Sequence, residues 1–258
     1  ELNGKDLTNT AAVDGTNTEP ANDDFTVVPT IPQKLTASTD KEFRPGSGIA
    51  SPGTETTLRL TGRNTSNAAV DEIVMTDPTN PPGAFESLAL TGDLDVTLPS
   101  GAEQVQVDCY VNGAWVNGAA GAPPARLPGG VAAEDCQGLR VHFISTQGSG
   151  IAPGASGSID VGLEQREGIE PGRIDNRVST VVVAGDDRSP AATADDSYTV
   201  TSAEIDLDAR KSFDPDIIGV GEQSTVTIGA TNSSNRTLDS LRLTEPGADP
   251  NPFRNGLT

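Results

Sequence analysis

Apolar and polar residues alternate with a period of two in several short stretches of this chain. In "TTLRLTG" from Thr56, Leu58 and Leu60 share one face while Thr and Arg take the other. In "STVTIGA" from Ser224, Val226 and Ile228 do the same. "EIVMTD", "LDVTL", "QVQVDCYV", "LRVHFIS", "GSIDVGLEQ" and "RVSTVVVA" read similarly. Turn signals rich in Pro, Gly and Asn, such as "TNPPGA", "NG" and "APGASG", lie between them. No long run has helical spacing, so almost no helix is expected. About eight short strands in one unit predict an all-β fold of immunoglobulin-like sandwich type.

One pattern is written twice. "KEFRPGSGIASPGTETTLRLTGRNTSN" from Lys41 returns as "KSFDPDIIGVGEQSTVTIGATNSSN" from Lys211, about 170 residues later. Phe43 matches Phe213, and Asn64, Ser66 and Asn67 match Asn232, Ser234 and Asn235. "VDEIVMTDP" from Val70 then meets "LDSLRLTEP" from Leu238, and Phe85 meets Phe253. More faintly, "ANDDFTV" from Ala21 resembles "ADDSYTV" from Ala194, which sets Phe25 against Tyr198. The expected organisation is therefore a tandem. Residues 1–32 are the end of one repeat, 33–202 a complete repeat, and 203–258 the start of the next. The joints "TIPQKLTAS" and "TSAEIDLDA" lack Gly/Ser tracts, which predicts stiff connections.

Composition narrows the function. Asp and Glu number 37 against 17 Lys and Arg, for a net charge of −20. Such a surface repels nucleic-acid phosphates and anionic lipid, so neither is an expected partner. No stretch is long and apolar enough to span a membrane. The two cysteines, Cys109 and Cys136, have no CxxC or histidine cluster around them, which argues against zinc. A disulfide is expected, and with it an oxidising, extracytoplasmic setting; two separate thiols are the alternative. The start at Glu1 reads as a processed or excised end. The stretch from about Gly92 to Gly138, which holds both cysteines and Trp115, reads as an elaboration between strands.

The pattern of a leading lysine, "TLRL", "EIVMTDP" and "NRVSTV" resembles the Ig-like tandem repeats of large Gram-positive, actinobacterial-type surface proteins and adhesins. The resemblance implies an internal isopeptide bond. A lysine of the first strand attacks an asparagine of the last, helped by a carboxylic acid on a middle strand. Carried onto this chain, these are Lys41, Asn176 and Asp77. Lys211 and Glu245 hold the places of Lys41 and Asp77 in the following repeat, and Asn9 lies near the place of Asn176 in the preceding one. Glu245 departs from the Asp of the complete repeat. Read alone, the same residues admit a plainer account. Lys41 would be a solvated strand-start residue, Asp77 an Asx turn before proline, and Asn176 a turn residue with Asp175 as competitor.

Acidic pairs near the joints (Asp23–Asp24, Asp186–Asp187, Asp195–Asp196) suit calcium chemically, Asp195 and Asp196 above all. No cofactor is otherwise expected, and no EF-hand loop is present, so solvated loop charge is the competing account. His142 alternates away from Val141 and Phe143 and lacks a nucleophile motif. The sequons at Asn64, Asn232 and Asn235 fall where a turn favours Asn. Trp115 either binds a ligand or covers the core.

The expected role is structural: a secreted, cell-surface stalk or fibre segment, not a turnover enzyme. Its expected neighbours are further repeats of the same chain, with any surface ligand unspecified. The alternatives are a self-assembling filament subunit, in effect a homopolymer, and a carbohydrate-binding module. The scarcity of aromatics, 3%, disfavours the last.

Overall fold

The computed structural model describes residues 5–28 and 31–245. β1 (Leu7–Gly15) and β2 (Thr18–Val27) form an antiparallel pair. Then come β3 (Ala37–Arg44), β4 (Ser47–Ile49), β5 (Glu55–Asn64), β6 (Glu72–Asp77), β7 (Leu88–Thr97) and β8 (Gln104–Val111). They are followed by β9 (Ala114–Val116), β10 (Leu139–Ile144), β11 (Ser156–Gln165), β12 (Gly172–Ala184), β13 (Asp187–Arg188) and β14 (Ala192–Thr201). β15 (Leu207–Asp214) and β16 (Thr225–Asn232) make a second antiparallel pair. Helix among the described residues is confined to 3-10 turns at Gly83–Glu86 and Ala133–Asp135.

β3 to β14 build an immunoglobulin-like sandwich of two sheets. One sheet has the order β3-β5-β11-β7. The other runs β4-β14-β12-β6-β10-β8-β9, with β13 on β12. Alternation decides which side chains meet between them. Leu58, Leu60, Ile159, Val161 and Leu163 point in from the smaller sheet. Ile73, Met75, Val107, Val141, Phe143, Val178 and Val182 point in from the larger. Each such burial stabilises by roughly 1.5–3 kcal/mol. The outer face of the smaller sheet carries a row of charges in register: Glu42, Arg59, Asp160 and Asp95. Arg59 grips Asp160 with two hydrogen bonds, 2.7 and 2.6 Å.

Twelve strands replace the expected eight or so. β4, β9 and β13 are too short to show a period. β3 and β14 turn charged residues toward the interior, which hides their alternation. The expected elaboration is also narrower than its sequence span. β8 is a full member of the larger sheet, paired with β10, and Val105, Val107 and Cys109 are core residues. Only the hairpin and loop beyond it are additions. The β8–β9 turn uses Asn112 (φ 50°) and Gly113 (φ 88°), the left-handed pair that a two-residue hairpin requires.

The turn after β5 ties down the segment that enters β3. Asn67 Nδ2 donates to the Pro32 carbonyl (3.0 Å), and Lys34 N donates to Asn67 Oδ1 (2.8 Å). Thr36 N donates to Ser66 Oγ (3.0 Å). Asn64 closes the turn by donating to Ala68 and Ile151 carbonyls. The turn after β16 makes matching bonds. Asn235 holds Ser202 and Glu204, Ser234 holds Asp206, and Asn232 closes on Arg236. The three sequon asparagines are thus turn and joint residues, and the Asn64 side chain is buried. The apolar positions of β15 and β16 follow the same alternation, yet Phe213, Val226 and Ile228 remain 37–38% exposed where Phe43, Leu58 and Leu60 are buried. Phe253 lies outside the described residues.

Cys109 and Cys136 form a disulfide, with Cα atoms 5.3 Å apart across 27 residues of sequence. It fastens the loop after β9 to the core edge of β8. Replacing both cysteines by serine should cost about 3.5 kcal/mol from loop-closure entropy alone. Urea unfolding of the oxidised chain and the double variant measures this, and the far-ultraviolet circular dichroism of the two should coincide.

Candidate functional site

At one end of the sandwich the interior is polar. Lys41 points in from β3, and only 6% of it is accessible. Asp77, the last residue of β6, points in from the opposite sheet and is fully buried. Asn176 points in from β12 and is 4% accessible. The three converge on one carboxylate. Lys41 Nζ donates to Asp77 Oδ2, and Asn176 Nδ2 donates to Asp77 Oδ1 at 2.8 Å. Asn176 Oδ1 is buried with no hydrogen-bond partner, which is costly in a protein interior. The Phe43 ring lies 5.6 Å from Lys41 Nζ and packs on Tyr198, which seals this end from water.

Burial dominates the electrostatics. Desolvation lowers the Lys41 pKa below the usual lysine range, against the opposing pull of Asp77, Asp196 and Asp195. Desolvation likewise raises the Asp77 pKa, against Lys41 and the Asn176 amide. Both shifts favour the uncharged forms, an amine facing a carboxylic acid.

The other predicted positions fall as follows. Asn176 lies not on the last strand of the unit but on β12, with β14 beyond it. Its competitor Asp175 points outward and pairs with Arg173 at 2.7 Å. Lys211 Nζ meets Glu245 Oε1 at 2.6 Å beside the Phe213 ring, repeating the Lys41–Asp77–Phe43 arrangement at a more open site. Asn9 stands opposite Phe25, whereas Asn176 stands opposite Asp196. Since Asp23 is the match of Asp196, Ala11 occupies the register of Asn176 and Asn9 lies two residues away.

Asp195 and Asp196 are both engaged by protein groups. Asp195 holds Arg177 through two bonds, 2.6 and 3.0 Å. Asp196 Oδ2 accepts the Phe43 backbone N–H at 2.7 Å. Among the described residues no group of three or more His, Cys, Asp or Glu side chains is arranged to hold a metal ion. His142 sits on the outer face between Glu72 (2.5 Å) and the buried Asp108 (3.1 Å). Trp115 is neither core nor a bare platform. It packs edge-on to Tyr110, and the Arg140 guanidinium lies 4.1 Å from its ring centroid. Sequence reasoning missed the role of Asp196. The recurrence of Asp23 with Asp196, alongside Phe43 with Phe213, was the available signal.

Fold and site together define a two-sheet, all-β sandwich with a lysine, an aspartate and an asparagine buried between its sheets. No protein-family model matches the chain, and no curated protein matches it in sequence. Solved structures with similarity to it include three bacterial surface proteins. The N-terminal domain of the Streptococcus gordonii adhesin Sgo0707 aligns at TM-score 0.37 and 15% identity, over 64% of this chain and 32% of that one. BcpA, the major pilin subunit of Bacillus cereus, aligns at TM-score 0.36 and 12% identity, over 84% of this chain and 66% of that one. The collagen-binding domain of a Staphylococcus aureus adhesin aligns at TM-score 0.29 and 12% identity, over 63% of this chain and 96% of that one. The chain thus spans about a third of the first of these. Among the described residues no helix is long and apolar enough to cross a membrane.

Removing one partner from a buried pair leaves the other uncompensated. Asp77→Ala should therefore destabilise the fold by about 3–5 kcal/mol. Lys41→Met fills the same space without a charge and should recover much of that loss when combined with Asp77→Ala. Chemical denaturation of the two single variants and the double variant measures the coupling.

Proposed function

We propose that the chain is a structural segment of an extracellular bacterial surface protein, a stalk or pilus-type fibre built of such units. In this reading Lys41 and Asn176 become joined by an isopeptide bond that braces the sandwich. The observation that carries the reading is the convergence of Lys41 and Asn176, from facing sheets, on the buried Asp77.

The chemistry follows from the site. A neutral Lys41 amine is a nucleophile, whereas an ammonium is not. Half a turn of the Asn176 amide about its Cβ–Cγ bond would bring Oδ1 to the Asp77 carboxyl, and the protonated acid would donate to it. That bond polarises the carbonyl and relieves the unpartnered oxygen. Nζ then attacks Cγ, a tetrahedral centre forms, and the Cγ–Nδ2 bond breaks. The leaving nitrogen takes up a proton that Nζ has given up, relayed by Asp77, and departs as ammonia. One amine and one primary amide become one secondary amide plus ammonia, with Asp77 back in its starting form. The step occurs once per molecule, so the result is a brace and not turnover.

The joints support an array. Matching hydrogen bonds from Asn67 and Asn235 hold the segments that precede β3 and β15. Neighbouring units of the same chain are the proposed partners, and the cell surface the proposed location. Calcium remains a proposal for the acidic residues near the joints, with Asp195 and Asp196 already engaged by protein groups.

Intact mass of the whole, reduced chain tests the cross-link. The expected mass is one ammonia below the sequence value. Lys41→Ala should return the full, substitution-corrected mass and melt at a lower temperature. A wild-type chain at the unmodified mass would overturn the cross-link and leave Lys41 and Asp77 as a buried pair.

A further inference from the structure

β3 is the strand that carries Lys41, and among the described residues it lies at an edge of the smaller sheet, paired with β5 alone. An edge strand has one row of backbone N–H and C=O groups without strand partners. The Phe43 N–H belongs to that row. It is part-buried on the side facing β14 and finds its partner there rather than in its own sheet. Asp196 supplies it. From β14 its side chain faces inward, and Oδ2 accepts the Phe43 N–H at 2.7 Å. In the β12–β14 ladder Asp196 is directly opposite Asn176. One carboxylate therefore ties the backbone two residues from Lys41 to the strand position facing Asn176.

We infer that Asp196 is a positioning residue: it latches β3 to β14 and so sets Lys41 against Asn176 for bond formation. The inference rests on the cross-link reading above. Asp77 gathers the two side chains, and Asp196 acts on the strands that carry them, joining the β3 backbone to β14 at this level. The neighbouring ties lie further along β14. Thr199 N donates to the Gly46 carbonyl at 2.9 Å, and β4 pairs with Thr199–Thr201. Those ties hold the crossing closed, so the fold outlasts loss of the latch while the reacting atoms lose their alignment. Small misplacements of reacting groups are expensive in rate. The chain repeats the components: Asp23 matches Asp196, and Phe213 matches Phe43.

The charge on this latch works against the reaction it serves. The charged groups acting on Lys41 are Asp77 from β6 and Asp196 and Asp195 from β14, and each favours the ammonium. Asparagine at position 196 would keep an oxygen acceptor for the Phe43 N–H and remove that charge. The two functions of the side chain are therefore separable.

The test follows ammonia loss by intact mass, from the end of cell-free synthesis of the whole chain, over a range of pH. Asp196→Ala should form the bond about tenfold to hundredfold more slowly than wild type. Asp196→Asn should form it at least as fast as wild type and keep its rate to lower pH, because Lys41 holds its proton less tightly. Both substitutions are also placed in a Lys41→Met chain, where no bond can form, to read folding alone by thermal melting. A wild-type chain that never loses ammonia overturns the cross-link and the latch together. If wild type reacts and Asp196→Ala reacts equally fast, the latch alone is overturned. Equal slowing in Asp196→Asn would assign the effect to charge and overturn the hydrogen-bond latch. An alanine variant that does not fold in the Lys41→Met chain would make Asp196 a folding determinant and overturn the positioning role.

Discussion

Taking a lysine and an aspartate out of water together is the costly act on which this sandwich depends. Lys41 and Asp77 come from opposite sheets, and neither can be buried alone without leaving an isolated charge in an apolar interior. The pair therefore demands that β3 and β6 face each other in one register. A slip of one residue in either strand would carry its member to the outer face. Apolar contacts such as Leu60 with its neighbours reward many arrangements; this pair rewards one. The same burial that makes the pair expensive lowers the Lys41 pKa and raises that of Asp77, so a constraint on packing also biases the pair toward its uncharged forms.

The second requirement is that the edge of the smaller sheet be closed. β3 can present Lys41 only if its unpaired backbone is satisfied, and the sandwich does this with a side chain, Asp196, and with the crossing into β4. The crossing is tight. A Cβ on Gly48 would lie 2.1 Å from the Tyr198 hydroxyl, so no larger residue fits there without moving the ring that seals the site. Gln165 completes the closure by donating to the same hydroxyl at 2.9 Å. The polar end of the interior is thus enclosed by hydrogen bonds on one side and aromatic rings on the other.

Much of this architecture was legible because it rests on alternation. β5, β8, β10 and β11 place apolar residues on alternate positions, and "EIVMTD" and "QVQVDCYV" coincide with β6 and β8. β3 and β14 were harder to read because their inward positions are Lys41 and Asp196, which a hydrophobic pattern scores as outward. The repeat compensated in part, since Lys41 and Asp77 return as Lys211 and Glu245. What it could not give is distance. Asp77 lies 36 residues from Lys41 and 99 from Asn176, and their meeting depends on sheet order. For the same reason the place of Asn176 on β12, with β14 still to follow, was not visible, nor was the tie between Asp196 and a backbone N–H.

The Asn67 clamp has a consequence for how such a segment responds to torque. Its side chain grips Pro32 and Lys34, and Ser66 grips Thr36, before β3 begins. A twist applied from upstream meets these anchors ahead of Lys41 and passes into the β5 turn, which Asn64 fastens to the Ile151 carbonyl. β3 is spared the role of torsion spring. Lys41 and the polar end of the interior lie behind these anchors, sheltered from a torque that enters at Pro32.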